Sequence, residues 1–159
     1  MTIEQMEKEI RTLIREHAPQ GTTFRWSNAK RQFGSCKYER GYRTARKYIC
    51  HISISRPLAM RNSWEVVKRT VIHEIAHANT VGHHHDKVWK QECLRLGGDG
   101  KRCYDTVRQG GDVNPMPYKF TGKCPKCGKT FMRNRRTLNG YHCDRSVKII
   151  WTENSTNAV

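Results

Sequence analysis

The sequence predicts an α+β domain followed by a small cysteine-anchored module, and three observations carry that reading. Apolar residues recur at helical spacing over 3–14 and again over 64–78. Between them, residues 22–55 are rich in β-branched and aromatic side chains broken by turn formers. Beyond residue 117 the composition shifts to Lys, Arg, Gly and Cys. A chain of 159 residues can bury one core of useful size and carry an appendage that a metal holds together.

Each element has its own local signal. Thr2 with Gln5 three residues later forms a capping box, and Ile3, Met6, Ile10, Leu13 and Ile14 share a helical face up to the stop at Pro19 and Gly21. Two to four short strands are expected over 22–55, with turns at Gly34 and Gly41. The last, at about 47–55, alternates Cys50, Ile52 and Ile54 against Ile49, His51 and Ser53. Asn62 and Ser63 can cap a helix that starts near Trp64 and runs through Val67, Val71, Ile75 and Ala78, with Gly82 at or just after its end. Asp86 can cap a third helix through Val88, Trp89, Cys93 and Leu94, closed by Gly97 and Gly98. A first domain over 1–112, a linker at 110–117, a basic module over 118–151 and a polar, disordered tail over 152–159 complete the expected organisation.

Thirty Lys and Arg against 14 Asp and Glu give a net charge of +16, which predicts attraction to polyanions, nucleic acid first among them. The amphipathic opening lacks the apolar run of a secretory signal or a membrane span, so a cytoplasmic, monomeric protein that can sit on the nucleoid is expected. Seven cysteines, two of them in a CxxC pair, read in that compartment as metal ligands and free thiols rather than disulfides.

The residues that carry chemistry are His73-Glu74-Ile75-Ala76-His77. Residues four apart share a helix face, so two imidazoles there can hold one Zn²⁺ with the intervening glutamate beside its water. An open catalytic zinc needs a third protein ligand, and His83, His84 and His85 are the candidates. His83 has the metzincin interval, but Thr80 stands where those proteins need glycine. His85 directly precedes the cap Asp86 and so sits on a fixed backbone; it is the choice, with His83 the alternative and His84 a solvated loop residue. Glu74 then serves as general base in hydrolysis. The strand over 49–55 reads either as an exposed edge for an extended substrate or as a plain core strand. Cys36, Cys50, Cys93 and Cys103 lack ligand spacing, and Cys36 is the one to watch.

FGSCK at 33–37, ICHISIS at 49–55, VIHEIAHA at 71–78 and HDKVW at 85–89 follow one another as in the SprT-like family, which the chain resembles over most of its length. The resemblance implies a zincin-like, minimal gluzincin-type fold and a zinc metalloprotease with ligands His73, His77 and His85, Glu74 as base, and Trp89 packed behind the third ligand. It also implies protein substrates on or near DNA. A related minimal-gluzincin group, the YgjP-like metal-dependent hydrolases, shares the GSC and HExxH features.

Family members often end in a zinc ribbon, and here Cys124 and Cys127 are followed by Cys143, with Ser146 where a fourth cysteine is usual. Cys124, Cys127 and Cys143 with His142 as the fourth ligand would hold a second, structural zinc; the alternative is a weak site or a degenerate ribbon held by a small apolar cluster. Lys123, Lys126, Lys129, Arg133, Arg135 and Arg136 form a basic surface for phosphates, with single- or double-stranded DNA as the expected partner. Phe131 and Tyr141 could stack on bases but read better as core. A second basic stretch over 37–47 contains Arg40, Arg43 and Arg46. Two other classes compete: a non-catalytic DNA-binding zinc protein, and a metal hydrolase of a non-peptide substrate.

Overall fold

In the computed structural model, which describes residues 1–40, 48–135, 140, 142–144 and 146–154, Thr2 caps helix α1 (Ile3–His17) as the sequence implies. Its hydroxyl accepts the Gln5 backbone N–H at 3.2 Å, and the Gln5 side chain accepts the Thr2 N–H at 2.8 Å. Met6, Ile10 and Ile14 are the buried stripe. The chain divides into two compact units, Met1–Met116 and Pro117–Val159.

Three strands follow α1 in the first unit: β1 (Thr23–Ser27), β2 (Gly34–Arg40) and β3 (Tyr48–Ser55). Their order is β1-β3-β2, with β1 parallel and β2 antiparallel to β3. The strand over 49–55 is therefore central rather than an edge, and the core reading of it holds. Cys50, Ile52 and Ile54 point one way and are buried, as period-two alternation requires. The edges are β1 and β2, and β2 is the one beside α3. Ile52 is fully buried, so Ile52→Ala should cost about 2–5 kcal/mol through lost burial and an unfilled cavity. A lowered urea midpoint of the first unit checks this; an unchanged midpoint would contradict a central β3.

A short helix α2 (Arg56–Ala59), not anticipated from sequence, turns the chain after β3, with the Ser55 hydroxyl accepting the Leu58 N–H. Helix α3 (Trp64–Asn79) starts at Ser63, which makes no side-chain cap bond, and its expected partner Asn62 is used elsewhere. The Asn62 amide bonds the backbone of Leu58 and Asn114 instead. The inner face of α3, with Val67, Val71 and Ile75, joins the sheet and α1 in the main core. Its other flank, with Ile72 and Ala76, meets Trp89 and Cys93 of α4 (Lys87–Arg95). A helix clamped on both sides can present a side chain with little play.

The segment expected to be a linker packs on the first unit as far as Met116. Val113 is buried in the main core, and Asp112 takes a two-pronged bond from Arg69 of α3 at 2.6 and 2.9 Å. The reason is the pairing of Thr106 with Val113 around the left-handed Gly110, which folds 106–113 back on itself.

The second unit is a three-stranded antiparallel sheet in which β4 (Phe120–Lys123) lies between β5 (Thr130–Arg133) and β6 (Ile150–Glu153). The disordered tail expected from residue 152 is corrected in its first part: Thr152 and Glu153 pair with β4, and the Asn154 N–H donates to the Lys119 carbonyl at 2.8 Å. Gly122 lets the Trp151 ring lie against the strand: a Cβ there would come within 2.7 Å of the indole. Among the described residues, no helix is long and apolar enough to cross a membrane.

Candidate metal centres

Two of the expected ligands, His73 and His77, stand one turn apart on α3. The third comes from the turn that precedes α4. His85 is the sole non-glycine residue with positive φ among those described, at 57°, and that left-handed kink swings its ring back over α3 while Asp86 caps α4 through the N–H groups of Val88 and Trp89. The Nε2 atom of His85 lies 3.0 Å from that of His77 and 3.1 Å from that of His73. Four nitrogens about 2.0–2.1 Å from a tetrahedral zinc would stand about 3.3 Å apart, so the three rings already hold nearly one face of that tetrahedron. His83 does not join them; its ring bonds the Asp86 carboxylate at 2.7 Å. His84 lines the cleft and is exposed.

Electrostatics favours ligands over charged imidazoles. Burial, then the neighbouring His77 and His85, pushes His73 down to about 3, and burial, then His85, takes His77 to about 4. His85 is also lowered, by burial and then by Arg102. Neutral rings keep the lone pairs that a metal needs. Trp89, almost fully buried, backs all three, with ring centroids 4.7 Å from His73, 5.2 Å from His77 and 4.5 Å from His85.

Glu74 points to the sheet side of the same helix, 6% exposed. Burial raises its pKa to about 8, opposed by a hydrogen bond from the Cys36 backbone N–H. Strand β2 passes directly over the carboxyl: a Cβ on Gly34 would fall 2.5 Å from Glu74 Oε1, 2.8 Å from its Cγ and 2.9 Å from the Thr70 methyl. Only glycine leaves that space. The histidines and Glu74 open into a cleft of about 280 Å³, bordered by Gly34, Ser35, Cys36 and Tyr38 of β2 on one side and by Arg102 and the 82–85 turn elsewhere. Cys36 faces this cleft as a thiol, its pKa raised by contact with Cys50 and then by burial, which gives it no nucleophilic character.

Sequence reasoning missed Gly34, Arg102 and Tyr104. Tyr104 sits 5.8 Å ring to ring from His73, under the Arg69 guanidinium at 5.3 Å, and Arg69 also approaches Asp99 at 3.6 Å. These contacts tie the 99–112 segment to the back of the histidine cluster. No local motif announces them; only the glycine inside FGSCK offered a signal, as a residue that lets another chain segment come close.

In the second unit the sulfurs of Cys124, Cys127 and Cys143 lie within 4.8 Å of one another, with Cys124 and Cys143 at 3.6 Å. The Cys124-Pro-Lys-Cys127-Gly turn is closed by Gly128, at φ 73°, whose N–H donates to the Cys124 carbonyl at 2.8 Å. Backbone N–H groups, that of Cys127 first, hold the Cys124 thiol down at about 7. His142 is not gathered with the sulfurs; its ring meets Phe131 edge-on at 5.0 Å, since the backbone that aims Cys143 inward aims its neighbour elsewhere. Phe131 is half-buried, in keeping with a core role. Lys123, Lys126, Lys129, Arg133 and Arg135 are exposed, Lys126 pairing with Asp144 at 2.6 Å and Lys129 lying 6.0 Å over Phe131. Arg136 and Tyr141, and Arg43 and Arg46 of the other basic stretch, lie outside the described residues, as does the Arg40 side chain.

No curated protein matches the chain. A family comparison matches it over residues 3–109, a span that contains α1, the three-stranded sheet, the histidine cluster and Glu74. With more than half of its length so matched, the chain belongs to the SprT-like family.

Proposed function

We propose that the chain is a zinc-dependent metallopeptidase with a zincin-like first unit, acting on proteins on or near DNA. The observation that carries this reading is the convergence of three neutral imidazoles beside a buried carboxyl at the floor of one open cleft. The donor set suits zinc: three nitrogen ligands on one face leave a position for substrate and water. Family membership supports a metallopeptidase-like role in the same direction.

A bound zinc ion would supply Lewis acidity, polarising a carbonyl and acidifying water. The remaining work falls to the chain. Glu74, held by the Cys36 N–H and shielded from solvent, opens into the same cleft as the histidines, and in its ionised form its carboxylate can take a proton from the attacking water and pass it to the leaving amine. Among the described residues strand β2 is paired on one side only and borders the cleft, so its main-chain groups, apart from the Cys36 N–H that Glu74 takes, can hold an extended peptide as an added strand. Arg102 lines the cleft close enough to His85 to depress its pKa, and its positive charge suits it to meet negative charge developing on the substrate oxygen. A buried carboxyl at this position has no use in a silent, purely structural site. Exposed Lys and Arg of the second unit, on a chain of net charge +16, suit phosphate contacts that keep the enzyme on DNA.

Stripping the metal with a chelator should abolish cleavage of a denatured protein substrate, and zinc should restore it. Cleavage should rise on adding DNA, and that rise should fade steeply between ~50 and ~200 mM salt, as counterion release demands. Cleavage that survives complete zinc removal would end the metallopeptidase reading; stimulation indifferent to salt would end the phosphate-contact part.

A further inference from the structure

The three cysteines of the second unit leave a place unfilled. With zinc–sulfur bonds of about 2.3 Å, the sulfurs of a tetrahedral site stand about 3.8 Å apart, and the 3.6 Å between Cys124 and Cys143 matches one edge of it. Three sulfurs make one face, and a fourth donor is needed at the apex. The second unit contains three other residues with metal-binding side chains of the His, Cys, Asp or Glu type: His142, Asp144 and Glu153. The residues of this unit outside the described set add none.

None of the three is placed to serve. His142 lies edge-on against Phe131. The Asp144 carboxylate is spent on Lys126 at 2.6 Å and on the Ser146 hydroxyl and N–H at 2.6 and 2.8 Å. Glu153 is paired across from Phe120, at the far end of β4 from Cys124, while Ile150 stands opposite Lys123 at the near end. Ser146 occupies the sequence position of a fourth cysteine, and its hydroxyl donates to Asp144. Cys127 and Cys143 are both exposed, so the sulfur cluster is within reach of solvent.

We propose that this unit binds zinc through three thiolates only, with the fourth position taken by an exchangeable ligand from solution, thiolates being preferred. Soft sulfur ligands already on the metal favour a further soft donor over water or a carboxylate. The site is a docking point for small thiols or for a cysteine side chain of another molecule, and its metal is more easily removed than that of a four-cysteine site. The proposal is independent of the peptidase reading, which concerns other residues.

Cobalt substitution of the full chain tests it, because sulfur-to-cobalt charge transfer reports on the thiolate site and not on the three-histidine site. Adding 2-mercaptoethanol to the cobalt-loaded wild type should strengthen that absorption and move the visible bands towards those of four-thiolate coordination. Ser146→Cys should show the four-thiolate spectrum from the outset, fail to respond to added thiol, and hold zinc against a chelator at least about tenfold more tightly. A wild type that ignores the thiol, together with a Ser146→Cys variant no tighter than wild type, would overturn the proposal by showing that the chain supplies its own fourth donor. Loss of the wild-type visible bands in His142→Ala would identify that donor as His142. Absence of any thiolate–cobalt absorption would overturn it as well.

Discussion

Glu74→Gln is expected to lower the rate of protein cleavage by about a thousandfold, or about 4 kcal/mol in the barrier, while the zinc content stays at the wild-type level. The substitution preserves shape, and the amide oxygen can still accept the Cys36 N–H that orients the carboxylate. What it removes is the ability to take up a proton. Because Glu74 is 6% exposed and beneath β2, solvent cannot easily replace it as base. Metal analysis and a steady-state assay on one preparation are sufficient. Activity within tenfold of wild type, with zinc bound, would remove Glu74 from the chemistry.

Gly34→Ala should come second in effect, through geometry rather than through a lost functional group. The new methyl would have to occupy space 2.5 Å from Glu74 Oε1 and 2.8 Å from its Cγ. Either β2 lifts from α3 or the carboxyl turns away from the cleft. A misplacement of about 1 Å can cost a hundredfold in rate, and overpacking of this kind costs about 1–3 kcal/mol in stability. The informative measurement is the rate at full zinc occupancy, since the histidines lie on another face and should still load. A variant that loses metal in proportion to activity would mean that the disturbance spreads to the ligands; an unaffected rate would mean that β2 yields freely.

How much was legible in the sequence follows from how local each signal is. The capping box at Thr2 and Gln5, the cap at Asp86 and the four-residue spacing of His73 and His77 are written within one or two helical turns, and the elements that they specify are where the sequence placed them. His85 was also legible, because its neighbour Asp86 fixes the start of α4. Strand order was not. ICHISIS alternates as a half-buried strand would, and nothing in its seven residues says whether a strand pairs on one side or two; that is settled by β1, whose partners lie 28 positions away, and by β2, whose partners lie 10 to 20 away. The end of the first unit was misread for a related reason. Gly110 to Pro117 has the composition of a linker, yet Val113 and Asp112 find partners on α3 and in the core through contacts about 40 positions distant in sequence. Arg102 and Tyr104 belong to that same returning segment, so their approach to the histidines carried no local trace.

The left-handed backbone at His85 has a bearing on descent. Such a conformation costs a non-glycine residue about 1–2 kcal/mol, and glycine or asparagine would occupy it at less expense. A lineage freed from the need for a third imidazole would therefore gain stability by drifting to one of those residues, with no other adjustment of the turn. Histidine persists at such a site only where its ring repays the backbone. Among related chains, the residue at this single position should then sort those that still depend on the metal from those that have given it up, even where both histidines of the helix remain.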